Sequence, residues 1–154
     1  MTGSPESGAF ATFRPVRGRA VAITAAALIL LVFTVGAFAL PGPREHGLWT
    51  PFDRLMLIGL AAAIAWFLLR YASIKAVPTR ETLTVRNLLT TRTVEWSEVL
   101  AVQFAGGDPW VTLDLADTDS LAVMAIQKAD GPRARKEAGR LAALVAGLGE
   151  ADVP

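Results

Sequence analysis

The sequence predicts an α+β membrane protein: a two-helix transmembrane hairpin, then an antiparallel β-meander, then a C-terminal helix. Two long uncharged apolar runs lie in the first half, alternating patterns broken by turn residues fill the second, and an amphipathic repeat closes the chain. Of the 154 residues, 53% are hydrophobic and 19% charged, with a mean hydropathy of +0.43. That is more apolar than an ordinary soluble domain and suits a membrane anchor carrying one small folded unit. A net charge of +1 argues against nucleic acid as a partner, and the absence of cysteine excludes disulfides and thiolate chemistry.

Residues 20–40, AVAITAAALILLVFTVGAFAL, run for 21 positions without a charge. As a helix they would reach about 31 Å, close to a bilayer hydrocarbon core of roughly 30 Å. Their eleven Val, Ile, Leu and Phe residues favour insertion by roughly 3–7 kcal/mol. A cleaved signal peptide is disfavoured, because the run exceeds a usual apolar region of roughly 7–15 residues and Pro41 follows the A-x-A-like Ala37-Phe38-Ala39. Residues 1–19 begin MTGSPESG and are expected to form a disordered cytoplasmic tail. Pro41-Gly42-Pro43 stops the helix, Trp49 suits a membrane interface, and His46, the sole histidine, reads as a solvated loop residue.

The second apolar run, residues 55–69, lies between Arg54 and Arg70. Extended at both ends, with the arginines snorkelling, it predicts a second helix over about 52–73 and a hairpin over 20–74. Gly59, Ala61, Ala62, Ala63 and Ala65 offer a small-residue flank for close helix packing. Arg14, Arg17 and Arg19 precede the hairpin, Arg70, Lys75 and Arg80 follow it, and only Arg44 and Arg54 lie in the connection. This asymmetry predicts a multi-pass protein of the plasma (inner) membrane with both termini cytoplasmic.

A folded domain is expected over 75–148, with a short tail at 149–154. Residues 81–86 alternate with Leu83 and Val85 on one face, Asn87 turns the chain, and 91–96 return as a strand. In 99–104 the alternation places Leu100, Val102 and Phe104 together. After the turn at Gly106-Gly107-Asp108-Pro109, residues 110–115 put Val111, Leu113 and Leu115 inward. Asp117-Thr118-Asp119 turns into a strand over 121–126. Asp130-Gly131-Pro132 signals a helix start, and Ala134, Ala138, Leu141, Val145 and Leu148 share one helical face that would cover the sheet or cap its open end.

Several phrases are familiar in this order: Leu83-Thr84-Val85-Arg86-Asn87, Val94-Glu95-Trp96-Ser97-Glu98-Val99, Gly107-Asp108-Pro109-Trp110, and Leu121 to Gln127 followed by Asp130-Gly131. Together they resemble the small membrane-anchored bacterial PH-domain family of actinobacteria that includes the low molecular weight protein antigen 6 proteins. The resemblance spans about residues 75–147. It implies a PH-like partial barrel with a C-terminal helix, no enzymatic activity and no cofactor. Asp117-Thr118-Asp119 departs from the Asp-Gly turn expected at that place.

The functional expectation is a membrane-anchored interaction module that docks a protein partner, or serves as an accessory subunit of a membrane complex, at the cytoplasmic leaflet. The alternative is an anionic lipid-headgroup sensor using Arg80, Arg86 and Arg92, whose bland reading is a solvated sheet face. Asp108, Asp114, Asp117 and Asp119 lack calcium-loop spacing, so no metal site is expected. Ser97 has no nearby base, because His46 is assigned to the opposite side of the bilayer. No Gly-rich phosphate loop joins a strand to a helix, and Trp96 and Trp110 read as core or rim aromatics.

Overall fold

The computed structural model describes residues 8–39 and 49–149. His46, the Pro41-Gly42-Pro43 stop, residues 1–7 and residues 150–154 lie outside them. The chain divides into two compact units, one formed by the residues up to Gly18 together with the chain from Ser73 onward, the other by Arg19–Ala72.

Helix α1 spans Arg17–Ala39, its first two residues belonging to the first unit and the rest to the second, and α2 spans Pro51–Ala72, close to the predicted limits. Both are long and apolar enough to cross a membrane, and only 17% of the most apolar window of each is buried. The α2 start carries a capping box: the Thr50 N–H and hydroxyl donate to Asp53 at 2.8 and 2.6 Å, and the Asp53 N–H returns to Thr50 Oγ1 at 3.3 Å. Ala22 and Ala26 are buried on α1, Ala61 and Ala65 on α2, each pair four residues apart and so on one face. The small-residue flank therefore narrows to Ala61 and Ala65. Gly59, Ala62 and Ala63 point outward, and a Cβ at Gly59 would touch nothing.

The first unit holds two three-stranded antiparallel sheets. One runs β1 (Lys75–Pro78), β2 (Thr82–Arg86), β3 (Thr91–Glu95); the other runs β4 (Val99–Gln103), β5 (Trp110–Leu115), β6 (Ser120–Gln127). A 3-10 turn at Trp96–Glu98 leads from the first sheet to the second. Helix α3 spans Pro132–Gly149 and packs on β4, β6 and that turn. The core forms where the alternation predicted it: Leu83, Val85, Val94, Val111, Leu113, Leu115 and Val123 are buried on the strands. Trp96 is the largest fully buried side chain; its indole N–H donates to the Thr79 carbonyl at 3.0 Å, which satisfies its one polar group. On α3 the buried stripe is Ala134, Ala138, Leu141 and Leu144, with Val145 and Leu148 only half-buried.

Three expectations change. First, β4 carries a register irregularity between Val99 and Ala101, so Val99 turns inward and Leu100 is 68% exposed. Period-2 reading alone cannot foresee a bulge. Second, residues 8–18 are not a disordered tail. Phe13 pairs with Ala76 through both backbone hydrogen bonds, 2.8 and 3.0 Å, and its ring is 1% exposed. The domain is therefore discontinuous, and its first strand segment precedes both apolar helices. Third, Asp130 does not serve its own helix: its two carboxylate oxygens accept the backbone N–H groups of Val16 and Arg17 at 3.0 and 2.9 Å.

The β5–β6 turn resolves the departure at Asp117-Thr118-Asp119. Thr118 sits at φ 67, the left-handed region, where glycine would be unstrained and a β-branched side chain is not. Thr118→Gly should raise stability by about 0.5–1 kcal/mol, seen as a higher midpoint in a thermal melt of the detergent-solubilised chain. A lower midpoint would show that threonine is not strained there.

Candidate functional site

The three arginines singled out for a headgroup site do not converge. Arg86 stands on the outer face of β2, directly opposite Lys75 on β1 and Thr91 on β3. Arg92 is registered with the buried Val85, so it leaves β3 on the other face. Arg80 lies in the β1–β2 turn, outside the strand that carries Arg86.

Arg92 has a different task. Its guanidinium donates to Asp119 at 2.9 Å and to Asp117 at 3.0 Å, holding the β5–β6 turn against the β3 edge. The hydrogen bond to Asp119, seconded by Asp117, keeps its pKa above the ordinary guanidinium value. All three groups face water, so the pairs contribute chiefly orientation.

Two other polar centres organise the domain, and neither was singled out from the sequence. Asn87 is 8% exposed; its Nδ2 donates to the Ala122 carbonyl at 2.7 Å, and its Oδ1 accepts the Met124 N–H at 3.2 Å. One side chain thereby does for β6 what a neighbouring strand would do, and it ties the β2–β3 turn to the second sheet. Arg140, on α3, is held by Glu137 at 2.6 Å. It stacks 3.7 Å from the Phe13 ring centroid and donates to the carbonyls of Ala9 and Ala11 at 2.7 and 2.8 Å. Such a fork gathers a segment that has no regular partner of its own.

The surface offers two kinds of feature. Leu89 and Leu100 are 82% and 68% exposed, on the β2–β3 turn and on β4. β3 and β4 each lie at one edge of their sheets, as β1 and β6 do at the other. Elsewhere a half-open cavity of about 140 Å³ lies where the β4–β5 loop meets the start of α3, lined by Phe104, Ala105, Gly106, Lys128, Gly131 and Arg135. The Lys128 ammonium donates to the Gly106 carbonyl across it. Among the described residues no cluster of three or more His, Cys, Asp or Glu side chains could hold a metal ion.

A family model described as Bacterial PH domain matches residues 76–143. The uncharacterized protein Rv1417 of Mycobacterium tuberculosis and the uncharacterized protein Mb1452 of Mycobacterium bovis are each 36% identical over 113 residues, 73% of this chain and 73% of the relative. Only eleven residues follow Ala143, so this likeness also reaches upstream of the matched domain into α2. No solved structure matches the chain.

Proposed function

The chain belongs to the bacterial PH domain family, and from that premise we propose a non-enzymatic interaction module, held permanently at the cytoplasmic face of the plasma membrane, that docks a protein partner or serves as an accessory subunit of a membrane complex. The observation that carries the reading is the discontinuous domain. Phe13 pairs with Ala76 of β1, yet 62 residues lie between the two, and they contain both apolar helices. A chain that leaves a folded domain, crosses a bilayer and returns to the same domain must cross twice. This supports a hairpin with both of its ends on one side, and the arginine distribution favours the cytoplasm for that side. Because the anchor already recruits the domain, its exposed surface is free for partner recognition. The edge of β4 suits strand addition, with Leu100 available as an apolar contact.

The absence of native cysteine makes the test clean. A Leu100→Cys chain carrying a photo-crosslinker should be labelled only after the inner membrane of cells is permeabilised. On illumination it should yield a discrete protein adduct, absent when the crosslinker sits at Asp114→Cys. Labelling of intact spheroplasts would refute the orientation, and lipid adducts alone at Leu100 would refute docking at that edge.

A further inference from the structure

We propose that β4 pairs antiparallel with β4 of a second copy of this chain, closing a two-fold dimer in which the basic end of each domain meets the acidic end of the other. That pairing rests on the reading of the β4 edge as a docking surface and names what docks there.

Four strands stand at sheet edges, and three of them are protected. β1 carries Lys75 and Pro78 and is met by Phe13, and β3 carries Arg92 and Glu95. On β6, Asn87 takes the Ala122 carbonyl and the Met124 N–H. β4, Val99–Gln103, has neither a charge nor a proline, the devices that keep an edge from pairing. Its irregularity is confined to its start, between Val99 and Ala101, and leaves Leu100 turned outward. Among the described residues the backbone of Leu100, Ala101, Val102 and Gln103 makes no hydrogen bond outside the pairing with β5. Beside it, Arg135 is followed on the same face of α3 by exposed Gly139, Ala142 and Ala146, so the helix raises no large side chain there.

Charge selects the occupant. β4 and α3 run side by side in opposite directions. Phe104 and Ala105, just past the end of β4, share a cavity with Gly131 and Arg135 near the start of α3. At the other end Gly149, the last residue of α3, lies against the Trp96 carbonyl just ahead of β4. Glu81, Glu95 and Glu98 gather around Trp96, whose N–H donates to the Glu81 carbonyl at 3.4 Å. Lys128, Arg133, Arg135 and Lys136 gather at the start of α3, all exposed. Among the described residues none of these side chains is in an ion pair. Cations in the first turns of a helix oppose its dipole, and the acids beside them are engaged: Glu137 holds Arg140, and Asp130 accepts the Val16 and Arg17 N–H groups. A second copy turned end over end beside β4 sets its acidic end against these cations, twice by symmetry. Parallel pairing would set like against like. An unrelated strand would have to bring the same order of charge, which this chain already carries.

Single-cysteine variants of the full chain in membranes test the pairing, since no native cysteine interferes. On mild oxidation Ala101→Cys, at the middle of β4, should give a disulfide-linked dimer, whereas Leu89→Cys, at a more exposed side chain, should not. In copies bearing two different tags, Ser97→Cys should join Ala105→Cys, and neither should join its like. In detergent, Leu100→Asp should leave the chain monomeric. Arg135→Glu and Glu81→Arg, each entering a two-fold interface twice, should each weaken self-association about tenfold, and the two together should restore most of it. Cross-linking at Ala101 no better than at Leu89 overturns the dimer, as does Ser97 joining Ser97 or a double reversal weaker than either single one. If a crosslinker at Leu100 captures a different protein while the chain stays monomeric, the docking edge stands and the second copy falls. If it captures no protein, both fall.

Discussion

Phe13→Ala should destabilise the domain by about 3–5 kcal/mol, enough to consume much of the 5–15 kcal/mol typical of a small fold. The ring is 1% exposed and lies against the Arg140 guanidinium at 3.7 Å, while its backbone pairs with Ala76. Truncation removes the buried ring and leaves Arg140 facing a cavity, so the cation–π contribution of up to about 2 kcal/mol is lost with it. Urea unfolding of the full chain in detergent, followed by the fluorescence of the buried Trp96, measures the loss. Phe10→Ala, at a half-buried position of the same segment, should cost clearly less. A change below about 1 kcal/mol for Phe13→Ala would mean that residues 8–18 are not an integral part of the domain. By the same reasoning, a fragment beginning at Lys75 lacks Phe13 and the N–H partners of Asp130, and should unfold at lower urea than the intact chain.

Asn87→Ala is expected to cost about 2–5 kcal/mol, since it strands a donor and an acceptor at about 1–3 kcal/mol each. Met124 N–H and Ala122 C=O lie on the open side of β6, and Asn87 is the group that satisfies both. Asn87→Asp separates the two roles: it keeps an acceptor for Met124 but sets a buried carboxylate oxygen against the Ala122 carbonyl, and should cost at least as much as alanine. The urea midpoint reports the order, and exchange at the Met124 amide reports the place. An alanine variant whose Met124 amide exchanges as slowly as wild type would show that β6 does not depend on this side chain.

Both residues show what a one-dimensional pattern can carry. Leu83, Val85, Val111, Leu113 and Leu115 were legible because strand alternation is a local property, set by the backbone pleat. The bulge that turns Leu100 outward was not, because it arises from the pairing of β4 with β5. Asn87 read as a turn residue, which it is: its N–H donates to the Thr90 carbonyl at 2.8 Å. Its second role depends on β6, whose acceptor and donor lie 35 and 37 residues away. The charges at Arg80, Arg86 and Arg92 were legible, but their neighbours were not. Lys128 and Arg135 converge only because α3 folds back beside the β4–β5 loop.

By itself the sequence determined that two helices are apolar and long enough to cross a bilayer, that an antiparallel α+β domain follows them, and that family phrases mark the domain. These are consequences of composition and short-range periodicity. Only the tertiary structure decided that the domain begins before the helices, since Phe13 is recognised as a strand residue solely by its partner Ala76, and that partner lies across the whole apolar segment. A contact between residues so far apart leaves no periodic trace in either stretch. It forms because a buried ring and a paired backbone together outweigh the entropy of ordering a short segment.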